Sequence, residues 1–328
     1  MADDEQNRQQ LEDRYRNSTT RRTWDRMKNR FLSFTEIQTK TASVLPFLLA
    51  LLYTLYTYKS VNVRNTILFF AAMLLFDMST TAINNYIDTR TNGRVLEYSR
   101  TAARRIIYVM LTVATLAGIA LAWFTGPVVL ACGAVCFAAG IAYTYGPVAI
   151  SRMPLGEVVS GIFMGFFIPF LTVYINAPDQ SLIFYSRTSW VIQVSFNLMG
   201  LLKLFVLTLP AILCIANIML ANNIRDIESD ERISRFTLPH YIGMKNALRL
   251  FALNYYMAYA AVILMAIFQV LPPYVLVVLA SVGFVQKNIA AFRKNFTRPE
   301  SFRFCIQNFL LIVLPLIVVA GAALFVGM

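Results

Sequence analysis

Nine apolar runs dominate the chain, at 42–58, 66–84, 106–124, 127–145, 157–175, 200–221, 248–269, 272–287 and 305–326. Most approach the roughly 20 residues that a helix needs to cross a bilayer core. Short segments of strict apolar–polar alternation, the mark of a spanning β-barrel, are absent, so the runs are read as helices and strands are not needed. The predicted fold class is all-α: a polytopic membrane protein with nine transmembrane helices bundled around a central cavity. Two-residue links at 125–126 and 270–271 predict antiparallel helical hairpins. The links after the second and sixth runs are longer and polar, as functional loops tend to be.

Residues 1–40 stand apart as a charged tail, leaving 41–328 as the membrane domain. Within the tail, Trp24, Met27, Phe31 and Phe34 recur at helical spacing, with Arg26, Lys28 and Arg30 between them. That is the pattern of an amphipathic helix lying on a membrane surface. The tail has no apolar core followed by a cleavage site, so the first spanning helix is the expected insertion signal.

Two polar strings close the second and sixth runs, and they match. Asn84-Asn85-Tyr86-Ile87-Asp88-Thr89-Arg90-Thr91-Asn92 lies 138 residues before Asn222-Asn223-Ile224-Arg225-Asp226-Ile227-Glu228-Ser229-Asp230. Residues i and i+4 share a helix face. Asn84, Asp88 and Asn92 therefore line one face, and Asn222, Asp226 and Asp230 line another. Grouped carboxylate and carboxamide oxygens suit a hard divalent cation such as Mg²⁺, which is usually held by one or two carboxylates together with substrate phosphates. Two such faces opposed would make a diphosphate site at a membrane surface. The constant offset also hints at an internal repeat, and repeats often place a site at their interface.

Composition agrees. The chain is 58% hydrophobic and 14% charged, with a mean hydropathy of +0.59, where a soluble domain would be nearer a quarter charged. With the N-terminus inside, 25 of the 29 basic residues fall in inside segments. The positive-inside rule then sets the N-terminus in the cytoplasm, the C-terminus outside, and both polar strings on the cytoplasmic face of the inner membrane. The net charge of +12 reflects that bias and attraction to anionic lipid. It is not a nucleic-acid footprint, because no basic stripe with stacking aromatics lies on a soluble domain. Cys132, Cys136, Cys214 and Cys305 lie in or beside apolar runs without CxxC spacing, so they read as core residues rather than disulfide or zinc partners.

Further residues bear on the site. Asp77 precedes Asn84 by two helical turns, inside the apolar run, where a carboxylate needs a partner or an aqueous cavity. Lys203 is the partner considered for it. Lys40, Lys287, Arg225 and Arg90 are the basic candidates for a diphosphate, whereas Arg64 is expected to snorkel on the outer side. Tyr143, before the Gly146-Pro147 helix stop, would offer a phenol oxygen or a ring face. Gly161 and Gly165, four apart, predict close helix packing. His240, the only histidine, is read as a loop residue.

These residues resemble the UbiA superfamily of intramembrane aromatic prenyltransferases, whose Asp-rich motifs at two helix ends have the forms NDxxDxxxD and DxxxD. The resemblance runs from about Glu36 to the last helix. Within it, Asn222-Asn223-Ile224-Arg225-Asp226 looks like the NNxRD of the 1,4-dihydroxy-2-naphthoate branch of menaquinone synthesis. Tyr143-Thr144-Tyr145-Gly146-Pro147 looks like its YTxGP, and Leu155-Gly156-Glu157 like its LGE. Pro147 stands where the 4-hydroxybenzoate branch has Lys. The chain departs from the pattern at Asn85 and Asn92, where Asp is usual. Asp77 or Glu97 are then possible helpers, and lost or altered activity is an alternative.

The resemblance implies Mg²⁺-dependent transfer of a polyprenyl group from its diphosphate to 1,4-dihydroxy-2-naphthoate, with loss of CO₂, giving demethylmenaquinol. It implies a metal set of Asn85, Asp88, Asn92, Asp226 and Asp230. Asn84, Asn222, Lys40, Arg225 and Lys287 would bind substrate, and Asp88, Asp226 and Tyr143 would serve catalysis. The alternatives are a family member with another aromatic acceptor and a secondary transporter. Transporter sites favour the bilayer midplane, whereas these polar residues cluster at one interface.

Overall fold

A computed structural model describes residues 29–89, 95–146, 149–178 and 181–326. Among the described residues, nine helices are long and apolar enough to span a membrane: α1 (Ile37–Tyr58), α2 (Val63–Asp88), α3 (Arg100–Thr125), α4 (Pro127–Thr144), α5 (Gly156–Tyr174), α6 (Leu198–Arg225), α7 (Met244–Ile267), α8 (Pro273–Asn295) and α9 (Phe302–Phe325). The chain is an integral membrane protein.

Several helices run past the apolar runs because polar caps carry them into the interface. Side-chain oxygens of Asn62, Ser99 and Asn197 accept from the backbone N–H groups of Asn65, Ala102 and Gly200, satisfying donors that helix starts leave open. Gly126, at φ 94°, makes the tight turn before Pro127 opens α4. α8 begins as a 3₁₀ stretch, Pro273–Ser281, and turns α-helical from Val282.

One expectation needs correcting. A two-stranded antiparallel hairpin, β1 (Ile183–Thr188) and β2 (Val191–Phe196), sits between α5 and α6, with Ile183 opposite Phe196 and Thr188 opposite Val191. Its β-branched and aromatic residues favour a pleated surface. The link is too short in apolar residues to register as a span, so the hydropathy pattern did not flag it.

The core centres on α6, α7 and α9. Leu207, Ala211 and Cys214 of α6 are fully buried, as are Phe251, Tyr255 and Val262 of α7 and Phe309, Ile312 and Leu316 of α9. α2 packs most extensively on α3, and α6 on α7. In lipid the pairing of helices relies on close packing, and α5 supplies it. A Cβ at Gly161 would lie 2.8 Å from the Ile212 carbonyl oxygen, and one at Gly165 only 2.6 Å from Ile212 Cα. The π-helical turn Phe163–Phe167 falls across this contact.

A smaller cluster joins Phe34 to Met78 and Ala82 of α2 and to Ala103, Ile107 and Met110 of α3. Phe34 is thus buried in protein rather than laid on lipid. Trp24 and Met27 lie outside the described residues.

Candidate active site

Alternating helix direction brings the ends of α2, α4 and α6 together with the starts of α1, α5 and α9. Side-chain contacts confirm the grouping. Lys40 at the start of α1 reaches Asp77 and Thr81 near the end of α2. Tyr143 at the end of α4 meets Ser160 of α5 and Met219 of α6. The Arg225 guanidinium lies 5.7 Å from the Phe302 ring centroid of α9.

The first polar string keeps its predicted face as far as it is described. Asn84 donates to Asp88 Oδ2 at 3.2 Å across one turn, and α2 ends at Asp88. Asn85 points elsewhere: its amide donates to the Phe34 carbonyl at 3.1 Å and to Glu36 Oε1 at 3.2 Å. It ties down the segment that precedes α1, so its expected place among the metal ligands is not borne out. Asn92 and Arg90 lie outside the described residues.

The second string bends without losing its spacing. α6 ends at Arg225, and a short helix, Ile227–Arg232, follows. The i+4 hydrogen bonds continue through the junction, Asp226 N–H to the Asn222 carbonyl at 2.9 Å and Asp230 N–H to the Asp226 carbonyl at 2.8 Å. Arg225 grips Asp226 with two bonds, Nε to Oδ1 at 2.7 Å and Nη2 to Oδ2 at 2.6 Å.

Asp230 is buried. Its Oδ1 lies 3.6 Å from Arg235 Nη1, and its Oδ2 has no hydrogen-bond partner. Burial, and then the carboxylates of Asp226 and Asp88, push its pKa up to about 6 against the pull of Arg235. The influence of Asp88 on Asp230 sets the two strings within electrostatic reach of each other. Among the described residues no three acidic, histidine or cysteine side chains close on one point as a metal cage. A sparse all-oxygen set with an orphaned carboxylate oxygen fits Mg²⁺, which takes few protein ligands and completes its shell with phosphate and water.

The basic candidates separate. Lys40 is 3% exposed, and its Nζ donates to Asp77 Oδ1 at 2.8 Å, to the Asp77 carbonyl at 3.2 Å and to Thr81 Oγ1 at 2.6 Å. All three ammonium donors are used, so Lys40 is a buried partner of Asp77 rather than an open diphosphate ligand. Ser43 donates to the other Asp77 oxygen at 2.6 Å, so Asp77 pairs with Lys40 and Ser43, not with Lys203. Glu97, the other possible helper, accepts from Ser33 Oγ at 2.8 Å. Lys287 is exposed on α8, its Nζ 6.0 Å from the Phe284 ring centroid. Of the basic candidates within the described residues, Arg225 alone sits in a motif. His240 bonds Glu231 at 3.0 Å; it lies in a short helix, Leu238–Ile242, rather than in the expected loop, and the four cysteines are free.

Sequence reading missed the neighbours of Tyr143. The Tyr143 hydroxyl accepts from Ser160 Oγ at 3.2 Å and donates to Met219 Sδ at 3.4 Å. Glu157, one turn before Ser160 and 4% exposed, accepts from Asn223 Nδ2 at 2.8 Å through Oε1. Arg235 acts electrostatically on both Tyr143 and Glu157, and its Nε donates to the Ser151 carbonyl at 3.0 Å. A carboxylate at the head of an apolar run was a visible signal for Glu157. Nothing in the sequence marked Arg235.

Comparison with known proteins agrees with this geometry. The chain is 27% identical over 280 residues to a 1,4-dihydroxy-2-naphthoate octaprenyltransferase of Bacillus subtilis, covering 78% of this chain and 82% of that one. It is 30% identical over 154 residues to the like-named protein of Mycobacterium leprae, covering 47% and 45%. Its fold matches a UbiA homolog from Aeropyrum pernix at a TM-score of 0.62 and 20% identity, covering 88% of this chain and 98% of that one. It also matches a UbiA homolog from Archaeoglobus fulgidus bound to DMAPP and Mg²⁺, at a TM-score of 0.59 and 13% identity, over 90% and 99%. The model of the UbiA prenyltransferase family covers residues 43–325, and the chain belongs to that family.

Proposed function

We propose that this prenyltransferase moves a polyprenyl group from its diphosphate onto 1,4-dihydroxy-2-naphthoate, with loss of CO₂, giving demethylmenaquinol. The reading rests on the charge of Asp88, at one helix end, bearing on the buried carboxyl of Asp230 with its unpaired Oδ2, at the other. The naphthoate acceptor rests on the relatives named for that substrate and on the three motif stretches quoted above.

In this reading Asp88, Asp226 and Asp230 hold Mg²⁺, and Asn84 and Asn222 add carboxamide contacts. When bound, Mg²⁺ neutralises charge that builds on the departing diphosphate. Arg225 adds a guanidinium suited to phosphate oxygens. The hydroxyl of Tyr143 is engaged by Ser160 and Met219, so its ring face is what it offers to an allylic cation. The apolar helix faces take the prenyl tail. Basic residues concentrate on the side of the motifs, which supports a site facing the cytoplasm in the cytoplasmic membrane, with the N-terminus inside.

Asp88→Ala and Asp226→Ala test the reading. Each should lower Mg²⁺-dependent pyrophosphate release by about 1,000-fold or more while the protein stays folded, since charge stabilisation of this kind supplies several kcal/mol. Wild-type rates in either folded variant would remove the metal assignment.

A further inference from the structure

We propose that Glu157 is the catalytic base that takes the hydroxyl proton of the aromatic acceptor. The inference rests on the prenyl-transfer reading above and adds to it the residue that receives the acceptor.

Three observations carry it. Glu157 is 4% exposed, yet only one of its carboxylate oxygens is paired, Oε1 with Asn223 at 2.8 Å. Oε2 is buried without a partner. Leaving an acceptor atom of a carboxylate unsatisfied costs several kcal/mol, and a mere prop for Asn223 would do as well with a glutamine. The orphaned oxygen also sits in the right company. Ser160, on the same face of α5, donates to the Tyr143 hydroxyl, and a Cβ on the adjacent Gly156 would stand 3.4 Å from that hydroxyl. The charged and titratable groups facing Glu157 are Tyr143 of α4 and Arg235 of the loop after the second motif. Arg235 also reaches Asp230, so this corner adjoins the diphosphate site.

The chemistry balances. The allylic C–O bond breaks and its electron pair leaves with the diphosphate. The ring carbon of the acceptor bonds to the allylic carbon. The acceptor O–H bond breaks, its proton goes to Glu157 Oε2, and its electrons form the C=O of a ring ketone. The ring substituent then leaves as a proton to water or as CO₂, and its bonding pair restores the aromatic ring. Glu157 returns its proton to the oxygen.

The test is Glu157→Gln, which keeps a carbonyl oxygen for Asn223. Purified wild type and variant are compared with a prenyl diphosphate, Mg²⁺ and two hydroxyarenes, one with an un-ionised hydroxyl at assay pH and one acidic enough to be already ionised. The variant should lose about 100-fold or more in kcat with the first acceptor, the scale of general base catalysis. It should lose less than 10-fold with the second and keep the wild-type KM for prenyl diphosphate. Unchanged coupling with the first acceptor, or equal losses on both in a folded variant, would each overturn the role of Glu157 alone. Absence of coupling by the wild type would instead overturn the prenyl-transfer reading, and this inference with it.

Discussion

Lys40 and Asp77 separate a structural ion pair from a substrate contact, and the energetics are large enough to tell. The Lys40 side chain is 4% exposed and that of Asp77 13%. Asp77→Leu removes the carboxylate bond and leaves a buried ammonium with only Thr81 and a main-chain carbonyl. Ser43 is less affected, because it also donates to the Lys40 carbonyl at 3.0 Å. Breaking a buried pair from one side costs about 3–5 kcal/mol, or roughly two to four powers of ten in the unfolding equilibrium. Lys40→Met should cost a similar amount by stranding the carboxylate. The double variant Lys40→Met with Asp77→Leu carries no stranded charge and should recover to within about 1 kcal/mol of wild type or exceed it. The assay is chemical unfolding in detergent for all four proteins, with KM for prenyl diphosphate measured on the double variant. Additive single effects, or a folded double variant whose KM rises more than 10-fold, would refute the structural role and return Lys40 to the diphosphate.

Asp230 gives a pH dependence. Its pKa is raised to about 6 in the fold, above an unfolded value of about 4. The native state therefore binds this proton more tightly, and stability is lost as pH rises through that window. Asp230→Asn should be about 1–2 kcal/mol more stable than wild type near pH 7.5 and no more stable near pH 4. It should also weaken Mg²⁺ binding, which in wild type falls off below pH about 6 as the carboxyl protonates; chemical unfolding across pH checks the first sign and titration of Mg²⁺ the second. Asn85→Asp restores the usual family residue, yet it replaces an amide donor with a carboxylate facing Glu36 and the Phe34 carbonyl. It should speed tryptic cleavage at Arg30 and leave activity no higher than wild type. Gly165→Ala drives a Cβ to 2.6 Å from Ile212 Cα, which should cost about 1–3 kcal/mol, read as a lower melting temperature in detergent.

Helix number and the pairing of the two motifs were legible because they rest on features that a linear pattern carries. Apolar run length sets the spans, and i+4 spacing puts Asn84 and Asp88 on one face, with the same register running from Asn222 through Asp226 to Asp230. Gly161 and Gly165 were legible for the same reason. What a single line of residues does not carry is which side chain finds which across the bundle. Lys40 and Asp77 each looked suited to the site, and they satisfy one another instead. Asn85 shares the motif with Asn84 but leaves on the adjacent helix face, about 100° away, toward the N-terminal segment. Arg235 enters only because the chain after Ile227–Arg232 folds back toward the start of α5, where its side chain bonds the Ser151 carbonyl. The β1–β2 hairpin was missed because a search for spans passes over a short strand pair.

Purified protein given a long-chain prenyl diphosphate and 1,4-dihydroxy-2-naphthoate, with pyrophosphate release and product mass followed with Mg²⁺ and with a chelator, decides whether this is the reaction. Mg²⁺-dependent release that requires the naphthoate, with a prenylated product lacking the carboxylate, is the expected result. Release that the chelator does not affect, or no coupling of folded protein to this acceptor, would contradict it.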